Sequence, residues 1–127
     1  MKKIKVRKIT LKTGTELILG KDEDSNDELM KKFKGKENII LHTSAPGSPF
    51  CVIKKQVFEG DVYAAGILCA KYSQDWRNNK KDVVINVFTG KDISKPLSLK
   101  AGTWNVKKAK KIKIKKQDIL EFERKNV

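Results

Sequence analysis

The sequence has few of the residues that build metal centres, with one histidine, His42, and two cysteines, Cys51 and Cys69. A structural zinc site takes about four such ligands, usually in closely spaced pairs, so no metal ion is expected. Each cysteine lies within an apolar run, where a free thiol behaves as a small hydrophobic side chain. We therefore predict that both cysteines are buried in the core.

Long apolar runs are also absent. No stretch approaches the roughly 20 apolar residues that cross a bilayer, and the basic segment at residues 1–5 lacks the apolar region of a signal peptide. A cytoplasmic protein with no membrane partner is therefore expected. The length of 127 residues, with 39% hydrophobic residues, predicts a single domain spanning residues 1–127.

Catalytic motifs are scarce. The sequence has neither a Gly-x-Ser-x-Gly nucleophile motif nor a glycine-rich phosphate-binding loop. Acids from Asp22 onward resemble the start of a calcium loop, but Asp27 stands where that loop needs glycine and Phe33 where it needs glutamate. We therefore expect a non-enzymatic protein without a cofactor. The nearby His42 and Ser48 leave one alternative, an RNA-processing or tRNA-modifying enzyme that uses both side chains.

Acidic residues are the most telling shortage, because 15 acids accompany 29 basic residues and the formal net charge is +14. Residues 1–15 hold six basic residues, and residues 93–117 hold nine lysines, with no acid in either segment. Five acids are instead concentrated in residues 22–28. Such an uneven basic excess favours a polyanionic partner such as RNA, DNA or an anionic membrane surface. In one alternative, the lysines only solvate a ribosome-associated protein-interaction domain; thermophily or codon bias also enriches lysine.

The basic residues are nearly all lysines, since only three of the 29 are arginines. Arginine dominates the reading of guanine edges, whereas lysine brings a point charge to phosphate. The composition therefore predicts affinity for the RNA backbone with little discrimination between bases. Trp104, and less strongly Trp76 and Tyr72, are candidates for stacking on unpaired bases, with a core position as the alternative for each.

Periodicity and turn residues predict an α+β fold, a mixed, largely antiparallel sheet covered by two main helices. The first strand changes phase at Lys8, where we expect a bulge or break. Ser25 and Glu28 have capping-box spacing for the first helix, which Gly35 ends. The second helix, at residues 61–73, is apolar nearly all round and should be buried. The predicted strands are residues 4–11, 16–19, 39–43, 50–54, 82–89, 104–106 and 111–115, with a short helix after residue 119.

Residues 111–115 alternate lysine and isoleucine without exception. Because side chains alternate across a strand, Ile112 and Ile114 should face the core while Lys111, Lys113 and Lys115 face outward. Residues 3–7 follow the same pattern. If these two strands are neighbours, they form a continuous basic face.

Several short motifs, in order along the chain, resemble the R domain of the NFACT family of ribosome quality-control and nuclear-export-mediator proteins. They extend over about residues 16–115, and their order makes the set more specific than any one of them. The matching segments are Gly20-Lys21-Asp22 with Asn26-Asp27-Glu28-Leu29, Leu41-His42 with Pro46-Gly47-Ser48, Tyr63-Ala64-Ala65 through Lys71-Tyr72-Ser73, and Lys100-Ala101-Gly102 with Val106.

This resemblance implies binding to tRNA or ribosomal RNA, with the large ribosomal subunit as a further partner, as one module of a larger assembly. On the family pattern, Lys21, His42 and Ser48 cluster at the RNA-facing edge. The sequence departs from the pattern in two places: Ile40-Leu41 stands where the family has its tryptophan before the histidine, and Pro49 stands where the family has a second histidine. For the motif residues Asn26, Asp27 and Gly47, we favour a role in capping a helix or shaping a turn. The complete predicted RNA-binding set is Lys21, His42, Ser48, Lys100, Trp104, Lys111, Lys113 and Lys115.

Overall fold

The computed structural model describes residues 5–55, 58–94 and 104–125 of the chain. These residues form eight strands and four α-helices. In chain order they are β1 (Val6–Thr10), β2 (Glu16–Gly20), α1 (Glu23–Phe33), β3 (Ile39–Thr43), β4 (Cys51–Lys55), α2 (Asp61–Lys71), α3 (Gln74–Asn79), β5 (Val83–Thr89), β6 (Ile93–Ser94), β7 (Asn105–Val106), β8 (Lys110–Ile114) and α4 (Lys116–Lys125).

Six strands form one sheet in the order β1-β2-β4-β3-β5-β8, and β6 pairs with β7 in a separate two-stranded ribbon. The predicted α+β class is confirmed. The mixed character expected for the sheet is not seen, because each pairing between described strands is antiparallel. Strands β1 and β8 lie at opposite edges, five strand spacings or roughly 24 Å apart. The continuous basic face expected from neighbouring strands is therefore wrong.

One face of the sheet packs against α2, α3 and α4. Leu17, Leu41, Ile85 and Ile114 enter this core from four strands, together with both cysteines, which are buried as predicted. Helix α2 lies close to β8, because a Cβ atom built at Gly66 would stand 2.6 Å from the Cδ1 of Ile114. As predicted, the helix with little polar surface is buried against the sheet.

The other face packs against α1. Ile18, Ile40 and Val52 from the sheet meet Leu29 and Met30 of the helix in a second core. Since both faces are covered, consecutive residues of a strand are buried on opposite sides.

This double coverage explains why the break expected at Lys8 is wrong. Strand β1 pairs with β2 residue by residue, and Lys8 lies opposite Ile18 without a bulge. Val6 packs on the α1 side, whereas Ile9 packs on the α2 side. The apolar pattern changes phase because both faces of the strand are covered, and the strand itself continues without interruption.

The ends of two helices also differ from expectation. Asp22, not Ser25, caps α1, and the capping box joins Asp22 to Ser25. Helix α2 ends at Lys71, and Ser73 begins α3, a short helix that the pattern did not predict. That helix buries Trp76, which is 1% exposed, so a stacking role for this residue is wrong.

A buried carboxylate ties the β1–β2 turn to α2. Asp61 is 2% exposed and accepts hydrogen bonds from Thr13 Oγ1 at 2.8 Å, from Thr15 Oγ1 and from the backbone N–H of Phe58 at 3.0 Å. Its position in the first turn of α2 also favours the helix dipole.

We expect Asp61→Asn to lower the free energy of unfolding by about 1–3 kcal/mol, since an amide nitrogen cannot accept these bonds. Urea unfolding measures the change. The exposed neighbour Glu59 supplies the control, because Glu59→Gln removes the same charge without these partners. Equal effects of the two substitutions would contradict the assignment.

Candidate nucleic-acid interface

An open cleft of about 970 Å³ lies on the α1 side of the sheet, beside the N-terminal turn of that helix. His42 of β3 and Asn86 of β5, which are paired neighbours, lie in its floor beside Phe50. Five parts of the chain form its walls: Arg7 of β1, residues 20–26, the loop at 44–50, the α2–α3 junction and residues 104–106.

The loop at residues 44–50 is fixed by its own hydrogen bonds. The Oγ atom of Ser48 accepts a bond from the Thr43 N–H at 3.0 Å and donates to the Pro49 carbonyl at 3.2 Å. Gly47 has a φ of +90°, and a Cβ atom there would lie 2.6 Å from the Gln74 side chain. Ser48 is 9% exposed, so its hydroxyl shapes the loop.

The wall at residues 20–26 is held by an amide. Asn26 Oδ1 accepts a hydrogen bond from the Phe50 N–H at 3.0 Å and so joins α1 to the start of β4. Gly20 is necessary here, because a Cβ atom at this position would stand 2.0 Å from that oxygen. Asp27 accepts a bond from the Trp104 indole N–H at 3.1 Å. These motif residues therefore have structural roles, although neither Asn26 nor Asp27 is the helix cap.

His42 presents an aromatic ring to the cleft. Its ring packs on Phe50 with 4.4 Å between centroids, and its Nδ1 lies 2.8 Å from the Thr43 carbonyl oxygen, which fits an Nδ1–H donor. Burial lowers the pKa of His42 below its ordinary value, and hydrogen bonds to Thr43 and Ser48 offset this only in part. The imidazole is therefore neutral at pH 7, so it offers a flat aromatic surface without a charge.

Cationic side chains outnumber acidic ones around the cleft, because Arg7, Lys21, Lys71 and Arg77 line it together with Asp22 and Glu23. Lys111 reaches it from β8, since its Nζ donates to Ser44 Oγ and Asn86 Oδ1 at 3.1 Å each. The salt bridges formed between described residues involve four other lysines, at positions 31, 54, 91 and 125. The cleft cations therefore keep their charge available to an anion.

A cationic side chain covers one face of the Tyr72 ring in the wall of the cleft. The Arg7 guanidinium lies 4.3 Å from the centre of the Tyr72 ring, and the Lys71 ammonium lies 5.1 Å from it. These cation–π contacts hold Arg7 at the cleft. Tyr72 therefore serves as a support for a cation.

The predicted binding residues are only partly brought together. Lys21, His42, Ser48 and Trp104 line the cleft, and Lys111 reaches its edge. The other predicted lysines lie elsewhere or are not described. Lys113 borders a separate, shallower depression, Lys115 is exposed just beyond β8, and Lys100 lies outside the described residues. The outward orientation predicted for the β8 lysines is confirmed, with Ile112 and Ile114 facing the core.

Arg7, Lys71 and Arg77 line the cleft but were not among the predicted residues. Lys71 lies in one of the segments that resemble the family, whereas the local sequences of Arg7 and Arg77 give no sign of this role. Among described residues, no cluster of three or more histidine, cysteine or acidic side chains is arranged to hold a metal. The helices described here are all too short or too polar to cross a membrane.

Comparison with known proteins shows what the chain is similar to. A family model described as the NFACT protein RNA binding domain matches residues 5–108. The archaeal Rqc2 homolog aRqcH of Methanocaldococcus jannaschii is 33% identical over 73 residues, which cover 55% of this chain but only 11% of that protein. The C-terminal part of the fibronectin/fibrinogen-binding protein from Streptococcus suis has the same fold, with a TM-score of 0.79 and 22% identity over 96% of this chain and 50% of that one.

We expect the His42 imidazole to titrate below pH 6.5 in the folded protein, because burial favours its neutral form. Its proton resonance needs no assignment by mutagenesis, since the chain has one histidine. The unfolded state then binds a proton more readily than the folded state, so stability falls as the pH drops below about 6.5.

A nuclear magnetic resonance titration tests this, with the same protein unfolded in urea as the reference. A folded pKa at or above that of the unfolded chain would contradict the burial argument. The His42→Phe variant should lose less stability than the parent protein over the same pH range.

Proposed function

The chain belongs to the family of NFACT protein RNA-binding domains, and we propose that it binds the phosphate backbone of structured RNA, tRNA or large-subunit rRNA, without catalysing a reaction. The observation that carries this proposal is a set of cations around the cleft that form no salt bridge with any described residue. Arg7, Lys21, Arg77 and Lys111 approach it from four separate parts of the chain. Phosphate is the anion that a polynucleotide presents repeatedly along its length.

The positions of the cations favour docking at the cleft over diffuse attraction. Lys111 is held by Ser44 and Asn86, and Arg7 is held over Tyr72. A held cation loses less conformational freedom when it meets a phosphate than a freely rotating surface lysine does. Two of the three arginines line the cleft, and a guanidinium can contact a phosphate through two parallel hydrogen bonds.

The contacts of His42 and Ser48 argue against the enzymatic alternative. One hydroxyl function of Ser48 is engaged with Thr43 and the other with Pro49, while the Nδ1 of His42 is bonded to the Thr43 carbonyl. No hydrogen bond joins the two side chains, as a nucleophile and its base would require. Turnover of RNA by the purified protein, abolished by His42→Ala, would restore this alternative.

Similarity to an archaeal Rqc2 homolog supports a role in ribosome-associated quality control, and such a role would place the chain in the cytoplasm. The matched region covers 11% of that protein. We therefore propose that the chain acts as an accessory RNA-binding module, and that other activities of the larger relatives belong to their other parts.

We expect the logarithm of the affinity for tRNA to fall linearly with the logarithm of the salt concentration. With roughly five to seven neutralised phosphates, the slope should be about −3 to −6. Fluorescence anisotropy with labelled tRNA at several salt concentrations measures it. A slope near zero, or no binding at low salt, would dispose of the proposal.

Two lysines of β8 provide a matched pair for locating the interface. Both Lys111 and Lys113 are exposed on the same face of the strand, but only Lys111 bonds to cleft residues. We expect Lys111→Gln to reduce the magnitude of the salt slope by about 1 and to weaken binding to all RNA sequences alike. Lys113→Gln should change the affinity less than twofold, roughly the scatter of such measurements, and both variants should unfold at the same urea concentration as the parent.

If the two substitutions weakened RNA binding equally, the RNA would contact the lysines along the edge strand β8 as a group. In that case the cleft would have no special part in binding. An effect of Lys113 alone would move the interface to the shallower depression beside it.

A further inference from the structure

We infer that the cleft receives a single unpaired nucleotide of the bound RNA, with the base lying against His42 and the adjoining phosphates meeting the cations at the rim. This inference rests on the proposed function and narrows its ligand. It implies that the domain prefers RNA with an unstacked base, in a loop, a bulge or a single strand, over a continuous duplex.

The floor of the cleft is a supported aromatic surface. The half-buried His42 ring packs on Phe50, and Phe50 meets Phe88 edge to face with 6.4 Å between centroids. Both phenylalanines are 4% exposed, so they fix the position of the histidine ring from beneath. The uncharged His42 ring is suited to stacking, and base–aromatic stacking tolerates any base because each has a π-face.

The dimensions and lining of the cleft fit a nucleotide. Its volume of about 970 Å³ lies within the range of roughly 300–1,000 Å³ that is usual for small-ligand sites. In an RNA duplex both faces of a base are covered by its stacked neighbours, so only a base that has left the stack can offer a face to a ring. Trp104, fixed by its bond to Asp27, adds a second aromatic side chain on the wall.

The cations stand at the distance that a nucleotide requires. Lys111 pairs with Asn86, and Asn86 pairs with His42, so Lys111 lies two strand spacings, about 10 Å, from the histidine along the sheet. Its ammonium reaches back over this gap to Asn86. A base on His42 therefore leaves its sugar and phosphates near Lys111 on one side, and Lys21 and Arg77 line the other walls of the same cleft.

The decisive comparison removes one base and keeps every phosphate. We would measure the affinity of the full chain for an eight-nucleotide single-stranded RNA, for the same strand with one central abasic ribose, and for a duplex long enough to stay paired, with the duplex compared per phosphate and all at one salt concentration. The abasic strand and the duplex should each bind roughly tenfold more weakly than the intact strand, from the loss of one stacked base. Equal affinities for the intact and abasic strands would overturn the inference.

Two substitutions of His42 test the ring itself. His42→Leu removes the aromatic face and His42→Phe keeps it, while both lose the hydrogen bond to Thr43. We expect His42→Leu to bind the intact strand roughly tenfold more weakly and to make no distinction between intact and abasic strands. His42→Phe should bind like the parent protein and retain the distinction. Equal behaviour of the two variants would also overturn the inference.

The outcomes separate this inference from the proposed function. Salt-dependent binding of all three RNAs with equal affinity would leave the proposed function standing and reject the base site. Failure to bind any RNA, tRNA included, would reject both. Saturable binding of a free mononucleotide as tight as that of the strand would assign the cleft to a small ligand and likewise reject the inference. Emission from the buried Trp76 monitors folding in each variant, and if His42→Leu fails to fold, the abasic comparison in His42→Phe still decides.

Discussion

Helix α1 covers only part of one face of the sheet, and the cleft lies where this cover ends. The opposite face is closed by α2, α3 and α4, whereas α1 begins at Glu23, beside the cleft. Sheet residues beneath α1, such as Ile40 and Val52, are apolar and buried. Past the N-terminal end of α1, where the helix no longer covers the sheet, the same face of the sheet carries His42 and Asn86. Within a single strand such as β3, the side chains on this face therefore change from apolar residues in the core to polar residues in the cleft.

The residues that carry the family resemblance mostly build the cleft rather than offer charge to a ligand. Asn26 joins α1 to β4, Asp27 holds Trp104, and Gly47 lets the loop approach α3. Each contact joins segments that are far apart in the sequence. Such contacts need particular residues, whereas a phosphate can be bound by almost any cation. The family motif is therefore better explained by the shape of the cleft than by direct contact with RNA. Of the described motif residues, Lys21, His42 and Lys71 remain as candidates for contact.

The sequence was sufficient to predict those features that depend on local spacing. Alternation along residues 111–115 gave the outward direction of Lys111 and Lys113, and capping chemistry located α1 to within a few residues. The errors came where the decisive contact is remote. The phase change at Lys8 predicts a break, but the strand is continuous because helices cover both faces of the sheet. Similarly, no local pattern indicates that Arg7 and Arg77, 70 positions apart, share a cleft.

The acidic residues explain how the excess positive charge remains available. Seven of the eight aspartates accept hydrogen bonds that organise the fold. Asp22 caps α1, Asp92 closes a turn after β5, and Asp82 accepts the backbone N–H of Lys116 where α4 begins. A carboxylate engaged with a helix terminus or a buried hydroxyl has less freedom to approach a distant cation. The few acids are therefore also placed where they neutralise little of the positive charge at the cleft. The cleft cations repel one another, which destabilises the fold, and a bound phosphate relieves that repulsion.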